Sequence, residues 1–338
     1  MGSDLETAGG KLESKVVDVR RLDGHHFEVL LRAEVQAWME VLHWDYAASS
    51  ELIHSYLEQK RLSGFALLED GIVKGYCLYF REGSKGAIGD MFVEPGDSNV
   101  NRIALLLDHT MRKLIGMSGV HRIEAQLPHC NVDHASRFLH PHSFRVYLRQ
   151  FMALPLNGED GSAPAANWPV ESSGQAESES GDFLFLPWTR RFDQEAAHLI
   201  HNVYHDHIDA ALNDQYRSYA GVSRLLESIT RYRGCGDYLE HASTAAVHRS
   251  TGKLAGVLAT TAVRVRTAHI PQIAVANGYQ GTGLGTAMLR LAIQKLRRDG
   301  FPEVSLTVTS LNARAVRLYE RLGFRTFREF GAFVWDRA

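Results

Sequence analysis

The stretch Ile273-Ala274-Val275 … Tyr279-Gln280-Gly281-Thr282-Gly283-Leu284-Gly285-Thr286-Ala287 leads from a β-branched segment through a glycine-dense turn straight into a helix. With no Cβ at 281, 283 or 285, backbone N–H groups can approach an anion closely. The helix expected from Leu284 to about Arg298 aims its unpaired N–H groups and positive dipole end at the same place. The stretch therefore predicts a cradle for a pyrophosphate and a phosphate-bearing cofactor. It fits neither of two familiar phosphate loops. The dinucleotide fingerprint needs a glycine at 286, where the chain has Thr286, and no Gly-Lys-Ser/Thr follows as in the Walker pattern.

Downstream, Val304, Leu306 and Val308 alternate with Ser305, Thr307 and Thr309, which predicts a strand. A second helix follows, Asn312-Ala-Arg-Ala315-Val-Arg-Leu-Tyr319-Glu-Arg-Leu-Gly323-Phe324, closed by a glycine suited to the left-handed position after a helix. At about 100° per residue, Asn312, Ala315 and Tyr319 share one helical face. Gln280, Gly283 and Gly285 meet the pattern Gln/Arg-x-x-Gly-x-Gly/Ala, and the second helix meets Asn-x-x-Ala-x-x-x-Tyr-x-x-x-Gly-Phe. In that order, the two resemble motifs A and B of the GNAT superfamily of acyl-CoA-dependent N-acetyltransferases.

The chain has 338 residues, room for two cores, and a formal net charge of −2. That charge disfavours a nucleic-acid partner. Cys77, Cys130 and Cys235 are odd in number and far apart, which argues for structural thiols in a reducing compartment. No apolar run reaches bilayer length and the first twenty residues lack the pattern of a secretory leader, so a cytoplasmic chain with no membrane partner is expected.

Residues from about Asn157 to Gly181 are small, polar and acidic without periodicity, which predicts a flexible linker over 157–181, and residues 1–13 read as a disordered tail. Across the linker the chain repeats itself. Ile88-Gly-Asp-Met-Phe-Val93 lies over Ile270-Pro-Gln-Ile-Ala-Val275 with a shift of 182, and Ala135…Phe144 lies over Ala315…Phe324 with a shift of 180. The expected domains are therefore 14–156 and 182–338, related in fold. The first copy has lost the cradle, reading Ser98-Asn-Val-Asn-Arg-Ile103 where the second reads Gln280 to Gly285, and it carries Leu139 in place of Tyr319. It is expected to be scaffold, or else to shape the acceptor pocket or mimic a dimer partner. An internal pair of like domains favours a monomer over a homodimer.

The resemblance implies an α/β (α+β) fold: two tandem GNAT-like domains, each a mixed, mostly antiparallel twisted sheet flanked by helices. It also implies acetyl-CoA as cosubstrate. Gln280, Gly281, Thr282, Gly283, Leu284, Gly285 and Thr286 would surround the pyrophosphate, with Asn312, Ala315 and Tyr319 alongside. Pantetheine would pair with the strand at Ile273, Ala274 and Val275 where it splays from its neighbour, an addition of one strand by a ligand. Pro271 cannot donate to a ladder and marks the same break.

Acetyl transfer needs a neutral amine, since an ammonium of pKa ~10.4 has no lone pair, and a proton for a departing thiolate of pKa ~8.5. The resemblance places Tyr319 near the thioester sulfur as that proton donor. His269, six residues before Val275, is a candidate base, with ordered water as the alternative. His198, His201 and His205 form one helical stripe, but the resemblance implies no metal, and a surface stripe is the reading adopted. Tyr204, His205 and Asp206 are candidate amine-recognition groups, because the first helices of this fold line the acceptor site. The expected activity is acetylation of a primary amine on a small molecule or peptide. A non-catalytic acyl-CoA sensor is the alternative from another class. Within enzymes, a protein N-terminal or lysine acetyltransferase and a mycothiol-synthase-like enzyme remain open.

Overall fold

The computed structural model describes residues 14–96, 99–157, 179–232, 235–264 and 267–337. The expected tail at 1–13, the linker residues 158–178 and Ser98 lie outside the described residues. The chain forms two compact units, the first holding the described residues up to Ala37, Tyr46–Arg145 and those from Phe333, the second Trp38–Asp45 and Val146–Ala332.

In the first unit β1 (Ser14–Asp18), α1 (Glu28–Leu42, its last turn in the second unit) and α2 (Ala47–Glu58) precede β2 (Ser63–Glu69), β3 (Ile72–Glu82) and β4 (Lys85–Val93). Then come α3 (Asn99–Ile115), β5 (Arg122–Leu127) and α4 (Val132–Leu139). The strands pair in the order β1-β2-β3-β4-β5, antiparallel except for β4 with β5. The parallel pair runs from Lys85 opposite Arg122 to Ile88 opposite Ala125. Phe27, Leu30, Leu31, Ala66, Tyr76 and Phe92 fill a core on one side of the sheet.

After Trp38–Asp45 the second unit holds β6 (Arg145–Pro155, its first residue in the first unit), then β7 (Glu179–Ser180), β8 (Phe183–Pro187), α5 (Asp193–Tyr204), α6 (Ile208–Leu212), α7 (Tyr219–Thr230) and β9 (Asp237–Tyr238). It continues with β10 (Thr244–His248), β11 (Leu254–Arg264), β12 (Thr267–Val275), α8 (Leu284–Arg298), β13 (Glu303–Thr309), α9 (Ala313–Arg321) and β14 (Arg325–Asp336), which ends in the first unit. Strands run in the order β6-β13-β12-β11-β10-β8, and the β12–β13 pair is parallel among antiparallel neighbours. Although β6 precedes the linker in sequence, it pairs with β13 over seven residues, from Pro155 opposite Glu303 to Arg149 opposite Thr309.

Pairing of β12 with β13 ends at Ile270 opposite Leu306, and in the first unit it ends at Ile88, so the break recurs at the sequence shift of 182 (270 less 88). Pro271 follows the break, and the β11–β12 register slips opposite it, between Ala259 and Thr261. A residue without an N–H donor thus sits where the ladder is already interrupted.

Local sequence explains the helices around the break. In α8, Leu284, Met288, Leu289, Ala292, Ile293 and Leu296 recur at helical spacing and are buried, while Lys295, Arg297 and Arg298 complement the dipole at its C-terminal end. Asn312 caps α9 by accepting the Ala315 N–H at 3.2 Å, and Gly323 follows with φ +96°.

Candidate active site

Between the parted strands and the two helices lies a cavity of about 750 Å³, contained wholly in the second unit. One wall is the segment Ile273, Ala274 and Val275, which has no pairing to β13. A second wall is the glycine turn, contributing Gln280, Gly281, Gly283, Gly285 and Thr286. A third is α9, with Asn312, Ala315 and Tyr319. The fourth comes from the end of α5 and the turn after it, with Tyr204, His205 and Asp206. Of the residues singled out from sequence, Thr282, Leu284 and His269 do not line it. Thr282 turns its hydroxyl back to the Tyr279 carbonyl at 2.8 Å, and Leu284 points into the core.

The turn leaves its backbone open. Gly281 and Gly283 have φ of +87° and +92°, and a Cβ built at Gly283 meets nothing within 4 Å, so the backbone there stands open. Gln280 braces the turn, its Nε2 donating to the Val275 carbonyl at 3.2 Å and its Oε1 accepting from Arg314 at 3.2 Å. Arg314, Arg317 and Arg321 also line the cavity, adding positive charge beside the open end of α8. These arginines recur at i, i+3 and i+7 on α9, a spacing visible in the sequence.

Residues 205–324, about a third of the chain and all in the second unit, match the acetyltransferase (GNAT) family. The C-terminal half carries a GNAT domain. Over 53 residues the chain is 51% identical to a mycothiol acetyltransferase of Parafrankia sp. (strain EAN1pec), 16% of either protein. Over 73 residues it is 42% identical to the ribosomal protein bS18 alanine N-acetyltransferase of Escherichia coli K12, covering 22% of this chain and 49% of that one. The chain thus spans less than half the length of these curated relatives. Among solved structures, a GCN5-related N-acetyltransferase from Sphaerobacter thermophilus has the same fold (TM-score 0.65, 15% identity, 96% of this chain and 97% of that one). So does a tandem GNAT protein from the clavulanic acid biosynthesis pathway (TM-score 0.59, 15% identity, 96% and 98%). The expectation of two tandem GNAT-like folds, mixed and mostly antiparallel, is met.

Within the GNAT domain, Tyr319 is 7% exposed. Burial, with the nearby charge of Asp209, pushes its hydroxyl pKa upward, so it keeps its proton at neutral pH. Tyr204 donates to the Ile273 carbonyl at 2.8 Å and stacks on Tyr216, whose hydroxyl reaches Gln272 at 2.9 Å. Burial raises both phenols.

His269 departs from the expectation of a strand-start base. It is buried outside the cavity lining, its Nδ1 2.9 Å from the Ser305 hydroxyl and its ring edge-on to Trp44. Burial, with the Arg149 charge added, pushes its pKa down to about 3, so the ring stays neutral. Trp44 and Arg149 both come from sequence before the linker, which is why periodicity within 182–338 gave no sign of this enclosure. After β8 the helical stretch is interrupted, ending at Tyr204 and restarting at Ile208, with His207 in the N-cap position. His198 stacks on Tyr219 and His201 on His205. Among the described residues no helix is long and apolar enough to cross a membrane.

Proposed function

We propose that the chain is an N-acetyltransferase that moves an acetyl group from acetyl-CoA to a primary amine by direct attack. The observation carrying this reading is that one cavity joins the open glycine turn, the unpaired strand edge and the Tyr319 face. The residues present fit the cosubstrate: glycines whose missing Cβ leaves space for a diphosphate, arginines along α9, and an extended backbone edge for pantetheine. Acetyl-CoA supplies the activated acyl carbon and a thiolate leaving group. Tyr319 carries a proton for the departing thiolate, and its raised pKa keeps the phenol protonated at neutral pH until that step. Tyr204, His205 and Asp206 border the acceptor end.

The acceptor is a small molecule or a peptide, and the similarity to enzymes named for mycothiol and for a ribosomal protein alanine makes both worth testing. Calorimetry with acetyl-CoA, followed by thiol-release assays against glucosamine conjugates, polyamines and peptides with free N-terminal alanine or lysine, tests the proposal. Binding together with transfer to one class supports it. Tight binding with transfer to none converts the reading to an acyl-CoA sensor.

A further inference from the structure

Resting on that reading, we propose that His207 is the general base that takes the acceptor's proton, with Asp209 as the residue that positions it. His207 lines the same cavity as Tyr319 and the Ile273–Val275 edge. Its neighbour His205 is committed elsewhere, Nε2 lying 2.8 Å from Asp206, whose side chain is 89% exposed. His207 instead has a sheltered carboxylate behind it: Asp209 Oδ2 is 3.3 Å from Nδ1, with side-chain exposures of 30% for the histidine and 16% for the aspartate. Asp209 also accepts a hydrogen bond from Thr309, at the end of β13 beyond the parting of the strands, so the carboxylate is anchored from the sheet.

Burial would raise the Asp209 pKa, but the hydrogen bonds from His207 and Thr309 and the Arg149 charge hold it below the ordinary value, leaving it ionised. Two groups compete for His207 Nδ1, the Asp209 N–H at 3.2 Å and the Asp209 carboxylate. A charge-assisted bond outweighs a neutral one, which favours hydrogen on Nδ1 and leaves the lone pair on Nε2. Other groups face this pair from several elements. The Tyr204 ring on α5 lies 5.1 Å from the His207 ring, and Tyr216, Tyr319 on α9 and Arg149 on β6 all feel or supply charge at Asp209.

In the transfer itself, the amine nitrogen bonds to the acyl carbon and sheds its proton to His207 Nε2, while Nδ1–H donates to Asp209. The C–S bond breaks, the sulfur takes the Tyr319 proton, and water returns the imidazolium proton to the tyrosinate.

Two measurements test this. In transfer assays with glucosamine and an N-terminal-alanine hexapeptide, His207→Gln should lower kcat/KM about 10²- to 10³-fold and remove the acidic limb of the pH profile. Its Kd for acetyl-CoA should stay within twofold of the parent. Imidazole NMR of the whole protein should show the neutral ring of His207 protonated on Nδ1, and Asp209→Asn should shift the ring toward the Nε2 tautomer. A parent-like pH profile in His207→Gln, or a ring protonated on Nε2 and indifferent to Asp209→Asn, overturns the assignment. If the parent acetylates neither probe the acetyltransferase reading fails on those acceptors, and the NMR result still decides the pair.

Discussion

Replacing Gly283 by valine separates the anion cradle from the fold. The residue sits at φ +92° with open space where a Cβ would point, so valine meets no clash there and costs chiefly the left-handed backbone, about 1–2 kcal/mol. A domain stable by about 5–15 kcal/mol survives that loss. Binding should not survive it if the turn is the proposed cradle, because the added carbons then compete with the diphosphate for the space at the turn. Hydrogen bonds to a charged group contribute about 1.5–3 kcal/mol each. Losing two therefore weakens acetyl-CoA binding at least about a hundredfold. Gly252 is the control: it too is left-handed, at φ +65°, with nothing within 4 Å of the point a Cβ would occupy, and it is absent from the cavity lining. Calorimetry and thermal melts should show both valine variants destabilised alike, with only Gly283→Val losing acetyl-CoA. Binding by Gly283→Val within threefold of the parent, or equal loss in Gly252→Val, refutes the cradle.

Other consequences are equally direct. Tyr319→Phe should lower kcat about a hundredfold and leave the KM for acetyl-CoA within twofold, as steady-state kinetics would show; unchanged turnover removes the phenol from the chemistry. Arg314→Ala frees Gln280 and removes a cation from the cavity wall, so acetyl-CoA should bind about three- to tenfold more weakly, with a shallower salt dependence in calorimetry. His269 carries a pH signature. Its folded pKa of about 3 lies below the ordinary 6.5, so between those values the unfolded chain binds a proton that the native chain does not. Stability should fall as the pH drops through that window, by up to about 1.4 kcal/mol per unit, and urea melts of His269→Gln should show a flatter slope.

What sequence made legible was local. Gly281, Gly283 and Gly323 adopt the left-handed geometry that their positions demanded, Asn312 caps its helix, and Pro271 stands at the end of the parallel ladder. These depend on a few neighbouring residues. The polar face of β13 was harder to read, since alternation alone suggests one solvated side. Ser305 and Thr309 are in fact buried, against His269 and Asp209, because a central strand is covered on both faces. Asp209 could not be recognised at all without knowing that Thr309, 100 residues later, reaches it.

The assignment of β6 to the second unit has the largest experimental consequence. Residues 182–338 contain every motif, yet in that fragment β13 loses seven paired positions along one edge. Met152, Leu154 and Leu156 vanish from the main core, and Leu42 and Phe151 leave Phe330 without its cluster. Five buried side chains at about 1.5–3 kcal/mol each amount to roughly 8–15 kcal/mol, the whole stability of an ordinary domain. Arg149, which bears on both Asp209 and His269, departs with the strand. The fragment 182–338 should therefore show no cooperative melt by calorimetry and no acetyl-CoA binding, and starting the chain at 145 should restore part of both. A fragment 182–338 that melts cooperatively within a few degrees of the full chain and binds acetyl-CoA would show that β6 is an accessory edge, leaving the site to be built by the motifs and the helices after the linker.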